Sequence, residues 1–227
     1  MKTLTLSVTI VLMLTSGLFA QSDDIRAIGA DMLAALSGDT ERFERGMLAL
    51  EALMAKTPDD PSLMVLHGNG VFARSGIAFQ KGDIANAMKL WQASLDEMAK
   101  AVEMASDNVF VRARRGVPLI AASRSTPPAM GAPLTKLAVE DFEKVLQLRE
   151  KDQTLAQLSL HQRGELLTSL ADGWNRLGDR DKARGYFERI TRELKGSIYD
   201  QKAQAWLDNK PETKNAAYFA CSGCHLK

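Results

Sequence analysis

From Asp23 to about Leu207, apolar residues recur three and four positions apart, in stretches rich in Ala, Leu and Met and almost without runs of β-branched residues. That spacing gives a helix one apolar stripe, whereas a half-buried strand needs strict alternation, so the chain is expected to be all-α. One stripe can be followed directly: Gly164, Leu167, Ala171 and Trp174 succeed one another at steps of three or four, flanked by Leu160 and Leu170. Gly178-Asp179 then ends this helix and starts the next, in which Ala183, Phe187 and Ile190 share a side. Two antiparallel helices joined by a short turn are expected there.

The same order occurs 96 residues earlier, where Gly82-Asp83 is followed by Ala87 and Trp91 at the spacing of Gly178-Asp179, Ala183 and Phe187. Two further stretches repeat the second helix: Gly46-Met47-Leu48-Ala49-Leu50, which leads to Pro58, and Ala138-Val139-Glu140-Asp141-Phe142. Over residues 40–195 this pattern of Gly-Asp, Ala and an aromatic resembles the tetratricopeptide repeat. The resemblance implies stacked helical hairpins, forming either a curved solenoid whose concave side holds a partner peptide or an irregular bundle. The closing Pro of that repeat is present only at Pro58, and helices expected near 84–105 and 106–123 run past its standard length.

Composition narrows the function classes. With 29 Lys+Arg against 28 Asp+Glu and 45% hydrophobic residues, the chain is neither disordered nor charged enough to be drawn onto nucleic acid or an anionic membrane. The start, Met1-Lys2-Thr3, an apolar run from Leu4 to Leu14 and small residues ahead of Gln21, reads as a signal peptide cut after Ala20. The run is shorter than the roughly 20 residues a spanning helix needs, and nothing later is apolar enough to span. Loss of Lys2 leaves 28 basic and 28 acidic side chains on a mature chain without a membrane span, expected in the periplasm or outside the cell. Two breaks are expected in the helical region of residues 21–207 and after it. Ser125–Pro133 carries three prolines and should be non-helical, separating two halves, and Asp208–Glu212 should detach a linker and tail over 208–227.

The only two cysteines lie in that tail, so no disulfide staples the body. They form Cys221-Ser222-Gly223-Cys224-His225, in which two thiols can add to the two vinyl groups of a haem while the adjacent imidazole reaches the iron. Over about its last ten residues the chain resembles cytochromes c. The resemblance implies one covalent haem c on Cys221 and Cys224 with His225 as the proximal iron ligand. It also implies single-electron exchange with protein redox partners rather than enzymatic turnover. A disulfide or redox pair is the alternative use of the thiols. A zinc site would need a fourth ligand, and a thioredoxin-type pair would need a βαβ setting. Four-helix-bundle cytochromes of the c-prime type end in such a motif, but the Gly-Asp hairpins and the added length argue against that architecture. Because only Leu226 and Lys227 follow His225, the haem is expected to pack on the body, to be covered by a second copy in a homo-oligomer, or to stay exposed. A second functional reading is a periplasmic helical-repeat adaptor with the haem as sensor or accessory.

A distal iron ligand would be Met or His. His67 sits at the edge of the stripe of Met64, Gly68, Val71, Phe72 and Ser75, whereas His161 lies opposite the Leu167/Trp174 stripe and reads as a surface residue. Met32, Met47, Met54, Met64, Met88, Met98 and Met104 read as helix core. Met130 falls in the proline-rich break, where a loop could present its sulfur. Met130 and His67 are thus the distal candidates, with a five-coordinate iron equally consistent. Arg112, Arg114, Arg115 and Arg124 form a basic cluster that could dock an acidic partner, pair with haem propionates, or simply be a solvated helix face. Trp91, Trp174 and Trp206 read as core, and Gly68 and Gly70 as close helix contacts. No Ser/His/Asp set, phosphate loop or carboxylate pair supports hydrolysis or group transfer.

Overall fold

The computed structural model describes residues 25, 27–215 and 218–220, and these are all-α, with no strand among them. The expected leader lies outside the described residues. Helical residues 27–32 run into a 3-10 turn, Leu33–Ser37, followed by α1 (Thr40–Met54), α2 (Pro61–Gln80), α3 (Ile84–Met104) and α4 (Val109–Ser123). Then come α5 (Pro128–Lys151), α6 (Leu160–Arg176), α7 (Arg180–Glu193), α8 (Ile198–Leu207) and a 3-10 turn at Pro211–Lys214. Helix starts are set by side chains that take up free backbone N–H groups: Asp39, Asp60, Asn108, Asp179 and Ser197 each cap a first turn, and Ser159 with Gln162 forms a reciprocal box. The Gly-Asp pairs behave as their spacing predicts. Gly82 and Gly178, with φ of 79° and 88°, turn the chain out of α2 and α6 in the left-handed region, and the following aspartate starts the next helix.

The chain divides into two compact units between Met98 and Ala99, within α3. The non-helical course expected of 125–133 is corrected. Helix α5 begins at Pro128 and continues through Pro133, so the non-helical break shrinks to 124–127. Pro128 occupies the first helical position, where a missing N–H costs nothing. Pro133 forgoes a single bond to the carbonyl of Ala129 on an exposed side of the helix, while Leu134, Thr135, Ala138 and Val139 are buried on the other.

In the first unit, Ile28, Leu50, Leu63 and Leu66 form one apolar cluster and Phe43, Met47 and Val71 another. Gly70 lies against Met47 and Gly68 against Met98, the close contacts their sequence position suggests, since a Cβ at either would collide with those side chains. Trp91 joins Phe72 and Phe79, with ring centroids 4.8 and 6.4 Å away. Met47, Met64 and Met98 are buried as expected, but Met88 and Met104 lie 44% exposed.

In the second unit each helix packs on its successor: α4 on α5, α5 on α6, α6 on α7 and α7 on α8, with α6 also meeting α8. The short connections make these neighbours antiparallel. The stripe of α6 is buried at Gly164, Leu167, Leu170 and Ala171, whereas Leu160 at its start is exposed. The basic cluster at α4 is a second correction, since Arg112, Arg115 and Arg124 turn inward to carboxylates while Arg114 stays exposed. Asp141 on α5 is fully buried and receives Arg112 at 3.0 Å and Arg115 at 2.6 and 2.8 Å. Arg124 reaches Asp172 of α6 at 2.8 Å, and Arg114 lies over the ring of Phe110. A buried carboxylate draws the guanidiniums inward because it is tolerated only when paired.

Candidate functional site

Cys221, Cys224 and His225 lie outside the described residues, and the structure reaches them through the segment that ends at Ala220. Two helices build its seat. Asp179 caps α7, whose Ala183, Phe187 and Ile190 are fully buried on one side, and Ser197 caps α8, whose Tyr199, Ala203 and Trp206 face the core. Asn209, with φ of 55°, turns the chain out of α8, and Thr213 is buried with its hydroxyl donating to the carbonyl of Lys210 at 2.6 Å. Phe187 stacks on Trp206 at 4.5 Å between centroids, and Phe219 lies 5.2 Å from Phe187 with 4% of its surface exposed. Tyr218 packs edge-on against Phe219.

This is a third correction. The described end of the tail is not detached by Asp208–Glu212, because Phe219 completes an aromatic cluster begun by α7 and α8. A buried Phe removes enough apolar surface from water to offset the ordering of a short segment, on the order of 2 kcal/mol. Cations rim the cluster. The guanidinium carbons of Arg180 and Arg184 stand 5.4 and 5.9 Å from the Trp206 centroid, and Lys202 is 5.7 Å from that of Tyr218. Partial burial and the nearby Glu212 carboxylate push the Tyr218 hydroxyl above its ordinary pKa, so it stays protonated at neutral pH.

The distal candidates sit in different settings. Met130 is in the first turn of α5, not in a loop, and is 40% exposed. His67 on α2 is half-buried, with Nδ1 2.8 Å from the Glu97 carboxylate of α3 and Nε2 3.7 Å from Glu51 of α1. The hydrogen bond to Glu97 holds its pKa above the ordinary value against the opposing effect of burial. With Nδ1 turned to Glu97, Nε2 is the ring nitrogen left to meet a metal, and it faces the Glu51 carboxylate. His161 is exposed, as its position on α6 predicts, with Nδ1 2.7 Å from the Tyr199 hydroxyl. Trp206 is buried, while Trp91 and Trp174 are half-buried, Trp174 donating to Glu143 at 2.7 Å beneath the Lys182 ammonium.

An open groove of about 550 Å³ lies between α5 and α7, lined by Glu140, Glu143, Glu150 and Tyr186 among others. Two of its acids are already engaged, Glu143 by Trp174 and Tyr186 and Glu150 by Arg189. Among the described residues no group of three or more His, Cys, Asp or Glu side chains can hold a metal ion, and no helix is long and apolar enough to cross a membrane. The aromatic seat of the tail was missed by sequence reading, although Tyr218-Phe219 directly before the cysteines carried the signal. Compared with known protein families, curated proteins and solved structures, the chain matches none.

Proposed function

We propose that the protein is an exported monohaem c-type cytochrome that passes single electrons to and from protein partners. The observation that carries this reading is Cys221-Ser222-Gly223-Cys224-His225, preceded within two residues by an aromatic anchor buried in the helical body. Cys221 and Cys224 bind the haem covalently and His225 ligates its iron. The leader over residues 1–20 directs the chain to the periplasm or cell exterior, where such attachment takes place.

The surroundings of the tail fit the group. A haem is an apolar disc with two carboxylates, and the described end of the tail combines a packed aromatic cluster with three cations. When bound, the haem supplies a one-electron couple. The chain's own part is to fix the motif on α7 and α8 through Phe219, to keep water from that side, and to present helical surface to a redox partner. Of the distal candidates, Met130 is exposed at the start of α5, whereas His67 is half-buried with Nδ1 held by Glu97 and Nε2 facing Glu51. A homo-oligomeric contact that covers the haem is part of this reading.

Production of the full chain with haem-attachment machinery tests it. A reduced c-type α-band and a mass increased by one haem are expected, and the absence of both overturns the reading. A helical-repeat adaptor, with the haem as accessory, is the second reading, favoured by the consecutive hairpins of α5 to α8. His225→Ala separates the two: loss of electron transfer with intact partner binding supports the cytochrome, and unchanged biological activity supports the adaptor.

A further inference from the structure

We infer that Arg180 and Arg184 are the cations that receive the two carboxylates of the haem, an assignment that rests on the cytochrome reading and extends it to α7. Phe219 fixes where the motif leaves the body. Cys221 follows it by two positions, so chain connectivity keeps the Cα of that attachment point within about 7 Å of that of Phe219 even when fully extended. Phe219 packs on Phe187, Phe187 stacks on Trp206, and the guanidiniums of Arg180 and Arg184 stand over that same Trp206 ring. The two arginines are one helical turn apart and both are exposed, which presents them as a pair on one side of α7.

Their pairing leaves them open to a carboxylate. Arg74, Arg112, Arg115, Arg124 and Arg189 each hold a carboxylate at hydrogen-bond distance. Arg180 has no carboxylate within ion-pair distance among the described residues, and Arg184 reaches only Glu188, at 3.9 Å. Lys202 stands over the Tyr218 ring, on which the Glu212 carboxylate also acts. The cations over the Trp206 ring, at the heart of the anchor's cluster, are the arginine pair. A guanidinium offers a planar fork of donors matched to a carboxylate, and its weak hydration lets it stack on an aromatic ring while it binds. Two such forks beside a covalently tethered disc with two carboxylates form a complementary set.

The test uses the full chain with haem attached and the haem-free variant Cys221→Ser/Cys224→Ser. Labelling of Arg180 and Arg184 by phenylglyoxal, read by mass spectrometry, is expected to be about tenfold slower in the haem-loaded protein, the factor that corresponds to one charged hydrogen bond. Arg180→Gln/Arg184→Gln is expected to lower the reduction potential relative to Lys136→Gln/Lys151→Gln, which removes the same charge from α5. Equal labelling of the two forms, or equal potentials for the two double variants, overturns the assignment and leaves the cytochrome reading standing if the mass shows one haem. A mass without haem removes both.

Discussion

Two side chains illustrate how charge is carried inside this protein. Asp141 has no exposed surface, and its charge is met by Arg112 and Arg115. Asp141→Asn leaves two guanidiniums facing a neutral amide, and urea unfolding is expected to show a loss of about 3 kcal/mol. Asp141→Leu combined with Arg115→Met removes charge from both sides and should recover much of that loss, and equal losses in the single and double variants would count against the pairing. His67 works in the opposite sense. Its folded pKa is raised above the ordinary 6.5, first by the Glu97 hydrogen bond and further by Glu97 and Glu51 charge, while burial and Arg74 oppose the rise. The stabilisation is complete below the unfolded value and is lost as pH rises through the folded one. The thermal midpoint is therefore expected to fall as pH rises above about 6.5. Glu97→Gln should flatten that fall, and an unchanged slope would remove the ion pair from the account.

At the level of helices, a single substitution made at three glycines has three outcomes. Gly178→Ala places a Cβ at φ 88° and should cost about 1–2 kcal/mol. Gly164→Ala drives a methyl into the Tyr199 ring where α6 crosses α8, and should cost about 1–3 kcal/mol. Gly185 is an exposed position inside α7 with open space around it, and Gly185→Ala should stabilise by about 0.5–1 kcal/mol. Calorimetric unfolding of the three variants checks both the order and the change of sign. The turn at Gly178 and the stripe of α6 were legible because each is a local pattern within a few residues. The helical course of Pro133 was not, because it depends on the burial of Leu134, Ala138 and Val139 against other helices. The inward turn of the α4 arginines was hidden for a related reason: Arg112, Arg115 and Leu119 share a stripe, but the meaning of that stripe depends on Asp141, 26 residues beyond Arg115.

For the molecule as a whole, the all-α class and the hairpin connections could be read in the sequence, whereas the division at Met98 could not. A division inside a continuous helix leaves no composition change to detect. The docked end of the tail was hidden too, because Pro211 and its polar neighbours read as a linker while the partners of Phe219 come from two separate helices. Phe219→Ala tests that docking. Fluorescence of the haem-free protein should shift to longer wavelength as Trp206 meets water, and trypsin should cut at Lys214 faster than in the parent. An unchanged spectrum and cleavage rate would mean that Phe219 does not hold the segment.

The anchor also defines what is portable. Residues 217–227 grafted alone onto another helical scaffold would carry both thiols and the imidazole but expose the Phe219 ring, a large apolar surface with nothing to cover it. The smallest transferable piece is α7, α8 and everything after them, because Phe187 and Trp206 form the socket into which the segment plugs. In this protein the segment through Phe219 and the two helices beneath it are one part.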